Sequence, residues 1–302
     1  ILAVNDTNFV QALRFHSMSV LSGRWKMRGW QIYLQCSAQY VSEHAEGTQD
    51  RFRANPMLRV SKTTLAGNFE QFFWYRSTFR MPSFNELYYN GIGNKNLLPE
   101  DAHLFNYGVN WRRPFGYKPL RFQSNLFFNW VQNKIVAIPT QNLFVWSMLN
   151  VGEVLVFGGE AVLGFDQKLN RNWSFSIDLN YTFQRALDYT ERDAPTYLHQ
   201  LAYVPMHTGN ADVVVRRKQS GLLFSNYLVS MRYSLNENIP ENEVKGFWIS
   251  DLSLYHTFRM KAVHRLTLRA SVKNIFDQSY AYIRSFVMPG RSYQITLNYA
   301  FH

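Results

Sequence analysis

Five side chains alternate along 280–288: Tyr280, Tyr282, Arg284, Phe286 and Met288. Rings set around a guanidinium suit a flat ligand that is partly apolar and partly anionic, held by stacking, cation–π attraction and charge. Tyr88 and Tyr89 offer two phenols in another stretch rich in Gly and Asn, and Phe144 and Trp146 offer two rings in a third. Tyr203, Met206 and His207 lie with His199 in a fourth. Tyr, Met and His are all iron-ligand types, although a lone loop histidine is more often solvated or hydrogen-bonded than a ligand. A second use competes for the same rings. Aromatics at the margins of a membrane-crossing sheet form interfacial girdles, and Phe144, Trp146 and the 280–288 group fit that role too.

Catalytic chemistry has no comparable set. No Gly-rich phosphate loop, metal triad or Ser/His/Asp order stands out, and no Cys/His spacing fits zinc. Cys36 is the single cysteine, so disulfides play no part within the chain. Glu160, Asp178, Asp212 and Asp251 fall in alternating stretches, where wall carboxylates paired with Arg are expected. The chain reads as a binding or transport protein rather than an enzyme, and no cofactor or metal is expected.

The elements that must hold these groups are strands. In 173–183, Trp173, Phe175, Ile177, Leu179, Tyr181 and Phe183 form one face, and Ser174, Ser176, Asp178, Asn180 and Thr182 the other. Period two is the strand signature, and about 9–11 tilted residues cross a bilayer. About thirteen such segments occur, at 8–22, 26–42, 52–64, 69–80, 103–113, 120–137, 153–168, 172–185, 208–217, 220–234, 247–259, 263–275 and 291–301. No segment has a helical period, and no linker divides residues 1–302. Mean hydropathy is −0.28 and no long apolar run exists, which excludes a helical membrane protein. The 17% aromatic content is high for a cytosolic enzyme and suits a barrel with girdles. A net charge of +11 admits nucleic acid, acidic lipid or an anionic solute as partner. The Lys and Arg are scattered through alternating strands, which favours a mixed-charge lumen with basic turns and no nucleic-acid partner.

The connections alternate in length. Short ones are expected at 22–25, 64–68, 168–171, 218–221 and 260–263, and long ones at 81–100, 139–150, 186–207, 235–246 and 276–290. An outer-membrane barrel with short periplasmic turns and long outer loops has this pattern, which puts the C-terminus on the periplasmic side. An odd strand number would leave an open edge in lipid, so this stretch is expected to be part of a larger barrel. The start at Ile1, in mid-pattern and without a signal segment, fits a mature or truncated product.

Four stretches carry a family resemblance: 79–88 (FRMPSFNELY) with 93–100 (GNKNLLPE), 150–152 (NVG) with 159–160 (GE), 272–277 (VKNIFD) with Tyr280, and 288–291 (MPGR) leading to Phe301. In order and spacing they resemble the C-terminal half of a TonB-dependent outer-membrane receptor, in the branch of cobalamin, siderophore and haem receptors, from about Phe69 to the end. The resemblance implies an all-β, transmembrane antiparallel β-barrel. About thirteen strands would be visible here of 22, with residues 1–302 the C-terminal part of the barrel domain and the N-terminal plug missing. It implies uptake of a scarce nutrient driven by TonB through a missing N-terminal part. Outer-membrane lipid and lipopolysaccharide would surround the barrel, and a surface lipoprotein is a possible partner. The motif positions Arg80, Pro82, Glu86, Leu87, Tyr88, Asn94, Leu97, Pro99, Glu100, Asn150, Gly152, Gly159, Glu160, Asn274, Phe276, Asp277, Tyr280, Gly290 and Arg291 are expected to be structural.

Pro82 and Pro99 would end the strands flanking a long loop, and Gly93 and Asn94 would take positive φ in a tight turn. Asn274 and Asp277 would organise a strand exit. Phe301 resembles the family's C-terminal sorting aromatic, although His302 follows it. Haem receptors often carry a His where this chain has Tyr88 and Tyr89, which places a corrinoid first, a ferric siderophore or haem second, and a short peptide or glycan third. A passive channel, a hydrolase at the barrel rim and an adhesive barrel remain as alternatives.

Overall fold

A computed structural model describes residues 13–44, 50–112, 120–139, 146–261 and 264–301. The chain rises and falls as a meander: β1 (Leu13–Met27), β2 (Trp30–His44), β3 (Arg51–Thr64), β4 (Phe69–Arg80), β5 (Glu100–Arg112), β6 (Leu120–Pro139), β7 (Trp146–Lys168), β8 (Trp173–Asp188), β9 (His207–Arg217) and β10 (Ser220–Val229). A two-stranded ribbon of β11 (Arg232–Tyr233) and β12 (Glu243–Val244) interrupts it, and β13 (Phe247–Lys261), β14 (His264–Lys273) and β15 (Ser292–Phe301) complete it. Thirteen strands form one antiparallel sheet in chain order, with β10 pairing directly to β13.

Each expected segment has its strand, with three differences. β1 reaches Met27 rather than stopping at 22, with residues 8–12 of the expected 8–22 outside the described residues, and its connection to β2 is the two-residue turn Arg28–Gly29. Both turn residues have positive φ, 46° and 81°, which matches the right-handed twist of a tight hairpin. The turn expected at 22–25 lies inside the ladder instead. β6 and β7 extend beyond the bilayer length, so residues 139 and 146–150 of the long connection expected at 139–150 are paired strand, and 140–145 lie outside the described residues. The tenth segment stops at Val229, and Arg232 belongs to the ribbon rather than the sheet.

Register carries the two faces from strand to strand, because directly paired residues share a side. The apolar face of β8 continues through Phe183 paired to His207, Ile177 to Val213 and Phe175 to Val215. The opposite face holds the ion pairs Arg14–Glu43 at 2.9 Å, Arg59–Glu70 at 2.9 Å, Arg121–Asp178 at 3.0 Å and Lys273–Asp251 at 2.7 Å. Asp178 thus has its arginine, while Asp251 is held by a lysine. A wall one sheet thick has no sandwiched interior, and burial concentrates at the long-connection end. There Ala102, Val131, Val151, Val154, Ala186 and Leu201 form one cluster, and Leu87, Leu97 and Ile135 a second.

Candidate functional site

The connection 81–99 begins with Pro82, which is fully buried and ends the β4 ladder. Ser83 then starts the five-residue helix α1 (Phe84–Tyr88) through a capping box. The Glu86 N–H donates to Ser83 Oγ at 3.3 Å, and the Ser83 N–H donates to Glu86 Oε2 at 2.7 Å. Arg80 binds Glu86 with Nη1, at 2.9 and 3.1 Å, and Glu100 with Nε and Nη2, at 3.1 and 2.8 Å. Lys134 Nζ and the Ile135 N–H complete the shell of Glu100 at 3.2 and 2.7 Å. The loop is therefore clamped to β4, β5 and β6 by charge-assisted bonds, with Leu87 and Leu97 packed beneath it on Ile135.

The positive φ expected at Gly93 and Asn94 falls at Gly91 instead, with φ 75°. Gly93 answers a different need: a Cβ there would lie 2.6 Å from the Tyr89 backbone nitrogen. Asn94 donates to the Met148 carbonyl at 3.0 Å and accepts from the Asn96 N–H at 2.9 Å. Asn150, on β7, donates to the carbonyls of Leu98 at 3.0 Å and Asn133 at 2.7 Å, and accepts from the Leu98 N–H at 2.8 Å. Asn133 in turn donates to the Pro99 carbonyl. Gly152 lies against Thr190, whose methyl would sit 2.5 Å from an added Cβ. Gly159 and Glu160 fall in mid-β7, paired to Leu126 and Asn125, away from the loops.

Burial opposes ionisation of Glu86, but hydrogen bonds from Arg80 and from the Ser83 backbone and hydroxyl outweigh it and hold the carboxyl below its usual value of 4.5. A depressed carboxyl contributes stability above its unfolded pKa and loses it as pH falls through the folded value. Amides of 84–89 should therefore keep constant hydrogen-exchange protection, corrected for intrinsic rate, from neutrality down to about pH 5, and lose it on further acidification. Glu86→Gln should flatten that dependence; an unchanged acid profile in the variant would assign the effect elsewhere.

A second knot joins the remaining long loops. Arg232 is 3% exposed and donates to the carbonyls of Ala281 at 2.5 Å, Tyr282 at 2.8 Å, Lys245 at 3.4 Å and Ser230 at 3.5 Å. Among the described residues no carboxylate pairs with it. Asn236 accepts from the Ala202 N–H at 2.9 Å, and Asn238 accepts from the Gln200 N–H at 2.6 Å and donates to the Gln200 carbonyl at 2.9 Å. Asn274, at φ 49°, holds both backbone groups of Gln278 at 2.9 Å, and its own N–H donates to Asp251. Asp277 accepts from the Arg291 N–H at 2.7 Å, and a Cβ on Gly290 would lie 2.7 Å from the same carboxylate oxygen. Phe276 packs on Trp248 with ring centroids 5.9 Å apart.

Five candidate residues meet in this knot. The rings of Tyr280 and Tyr282 pack on Phe247 at 4.8 and 5.0 Å, and Arg232 lies over the same ring at 5.6 Å. Tyr203 faces the Arg284 backbone N–H and packs on Trp146 at 5.6 Å. Arg284 donates to the Glu241 carbonyl at 2.7 Å. Burial pushes the Tyr203 and Tyr282 hydroxyls up and pulls Arg232 down, so both phenols stay protonated donors at neutral pH. In the same loop the Met288 N–H donates to the Tyr280 carbonyl, and Phe286 is 47% exposed.

The other candidates lie apart. Tyr88 sits against Phe84 and under Lys95, each at 6.0 Å, and Tyr89 is exposed beside them. His207 is not a loop residue. It opens β9 on the apolar face, with Nδ1 2.7 Å from the Tyr181 hydroxyl and its ring 5.3 Å from Phe183. Phe144 lies outside the described residues. Phe301 ends β15 on the apolar face, paired with His264. Arg232, Asn236 and Asn238 were not singled out in the sequence; the run Asn236-Glu237-Asn238-Ile239-Pro240, rich in turn formers, was the available signal.

Residues 19–275 match the family model described as TonB dependent receptor-like, β-barrel. A curated relative, the vitamin B12 transporter BtuB of Vibrio vulnificus (strain YJ016), is 23% identical over 236 residues, covering 74% of this chain and 33% of that protein. Among solved structures, the unliganded ferric citrate transporter FecA superposes with a TM-score of 0.74 at 16% identity, over 96% of this chain and 45% of that one. The copper transporter OprC superposes with a TM-score of 0.70 at 16% identity, over 96% and 48%. The chain thus spans about a third of the curated relative and under half of these structures. With the thirteen-strand meander and a family match across most of its length, the chain belongs to the TonB-dependent receptor β-barrel family.

Proposed function

We propose that residues 1–302 are the C-terminal part of the barrel domain of an outer-membrane receptor that captures a scarce nutrient at its long-loop end and imports it with energy from TonB, engaged through a plug-bearing N-terminal part. The short turns and the C-terminus face the periplasm. The apolar face sits in outer-membrane lipid with lipopolysaccharide at the outer rim, and a surface lipoprotein can cooperate at the loops. The ligand is a cobalamin-type corrinoid, followed in order of fit by a ferric siderophore or haem. The relatives named above are transporters of vitamin B12, ferric citrate and copper by their descriptions, and a corrinoid or chelate matches a surface of rings and cation.

The observation that carries this reading is the meeting of Trp146, Tyr203, Tyr280, Tyr282 and Arg284 at one end of the sheet. The test uses the polypeptide containing this chain, purified from its native membrane, titrated with cyanocobalamin and with ferric chelates while tryptophan fluorescence is followed. Arg284→Glu should weaken the preferred ligand about tenfold or more, the effect of losing one charged contact of about 1.4 kcal/mol. Unchanged affinity would remove 280–288 from the site, and no saturable binding of any of these ligands would overturn the ligand class.

A further inference from the structure

At the short-turn end, one cavity opens on the outside of the sheet and a second adjoins it around the turns. One, of 660 Å³, is lined by Trp173, Val215, Leu222, Leu254, Leu268 and Ala270, together with Arg217, Ser220 and His256 among others. The other, of 550 Å³, shares Trp173 and is lined by Lys168, Asn170, Arg171, Asn172 and Lys218 with Ser174 and Arg216. Register explains the first. Val215, Leu222, Leu254 and Ala270 are direct partners across β9, β10, β13 and β14, and form an apolar row. The next row toward the turns is Trp173, Arg217, Ser220, His256 and Leu268. Small side chains at Ser220 and Ala270 leave a depression between the bulky Trp173 and the leucines, with His256 Nδ1 2.8 Å from Ser220 Oγ.

The polarity changes abruptly along this surface. Arg217 lies 5.4 Å over the Trp173 ring, where the apolar groove meets the cationic one. Neither cavity has an Asp or Glu in its lining. The nearby acids Asp166 and Asp178 are taken up on the other face by Arg121, at 3.4 and 3.0 Å. Arg216 is likewise held on that face by the Ser176 and Tyr255 hydroxyls. Arg217 on the outer face, with Arg171 and Lys218 in the adjoining turns, therefore presents charge at the rim of an apolar groove whose lining holds no carboxylate.

We infer that this groove docks an anionic diacyl phospholipid of the periplasmic leaflet, with an acyl chain along Leu222 and Leu254 and its phosphate on Arg171, Arg217 and Lys218. The inference rests on the proposed orientation, in which the short turns face the periplasm. Cationic groups beside a bilayer attract anionic headgroups, and the groove volume is in the ordinary range for a bound amphiphile, about 300–1,000 Å³.

The test takes the same native polypeptide, delipidated in mild detergent, re-equilibrated with equal phosphatidylglycerol and phosphatidylethanolamine, and weighed intact by native mass spectrometry. Phosphatidylglycerol should be retained about tenfold over phosphatidylethanolamine. The triple variant Arg171→Glu, Arg217→Glu, Lys218→Glu should abolish that preference. Ala270→Trp, which fills the groove on a lipid-facing position, should reduce retention of both lipids and keep the headgroup preference. Heat-modifiable gel migration checks that each variant still forms its barrel. Equal retention of the two lipids, or a preference that survives charge reversal, would overturn the inference; so would displacement of the lipid by free glycerol phosphate, which would make the rim a simple phosphate site. Orientation is read separately, by labelling Ser279→Cys on whole cells with an impermeant maleimide. Labelling with no lipid preference would sink the docking site alone, and failure to label would sink the orientation with it.

Discussion

Arg232→Ala should release two long loops at once. The guanidinium is buried and meets backbone carbonyls from 230–246 and 274–291. Alanine would leave the short-range acceptors, the partly buried carbonyls of Ala281 and Tyr282, without this donor, at about 1 kcal/mol each, the low end of the range for an unsatisfied group. It would also remove the cation from the Phe247 ring, on which Tyr280 and Tyr282 pack. Hydrogen exchange in 274–291 should accelerate about 100-fold, equivalent to about 2.7 kcal/mol. The ladder amides of β13 and β14 should be unaffected, because their bonds do not pass through Arg232. Arg232→Lys should fall between, since one ammonium cannot span the carbonyls that a planar fork reaches. Unchanged exchange in the alanine variant would show that the ring cluster, not the arginine, holds the loops.

Glu100→Ala is the second large effect, and it acts on the other knot. The carboxylate is 9% exposed and accepts from Arg80, Lys134 and the Ile135 N–H. Its removal leaves Lys134 without its anion and a buried N–H unpaired, while Arg80 keeps Glu86. Breaking a buried pair from one side costs about 3–5 kcal/mol, and the half-exposed Arg80 and Lys134 bring the expectation to the lower end, about 3 kcal/mol. Urea unfolding in lipid, followed by tryptophan fluorescence, should show this as a lower midpoint. Glu100→Gln keeps an acceptor for Ile135 and should recover part of the loss. A midpoint within error of the parent would mean that Leu87, Leu97 and Ile135 carry the loop by apolar packing.

The sheet was legible in the sequence because its signal is local. Alternation in 173–183 needs no knowledge of its neighbours, and the same holds for 266–272 and 293–301. Strand ends were less legible where alternation runs on past the bilayer, as in β6 and β7, or where a turn lacks Pro and Asn, as at Arg28–Gly29. The helix α1 has a readable signature, Ser83-x-x-Glu86, that is too short for any periodicity to reveal. The site was legible as a set of residue types and not as an arrangement. Nothing in the spacing of Tyr203 and Arg284 shows that they meet, and His207 looked like a loop residue until register placed it opposite Phe183. Arg232 escaped notice because its partners are backbone carbonyls, which no side-chain pattern encodes.

The contrast between ladder and loops also sets an order of assembly. Alternate hairpins of the meander close across short turns, such as Arg28–Gly29 and Lys218–Gln219, so pairing within them starts at small loop-closure cost. The bonds that tie the loops bridge far larger separations: 54 residues from Asn94 to Met148 and 50 from Arg232 to Tyr282. These contacts have no meaning until several strands have fixed the geometry between them. The wall therefore forms before the cap, and a chain arrested late in folding would have a complete sheet with an unset rim.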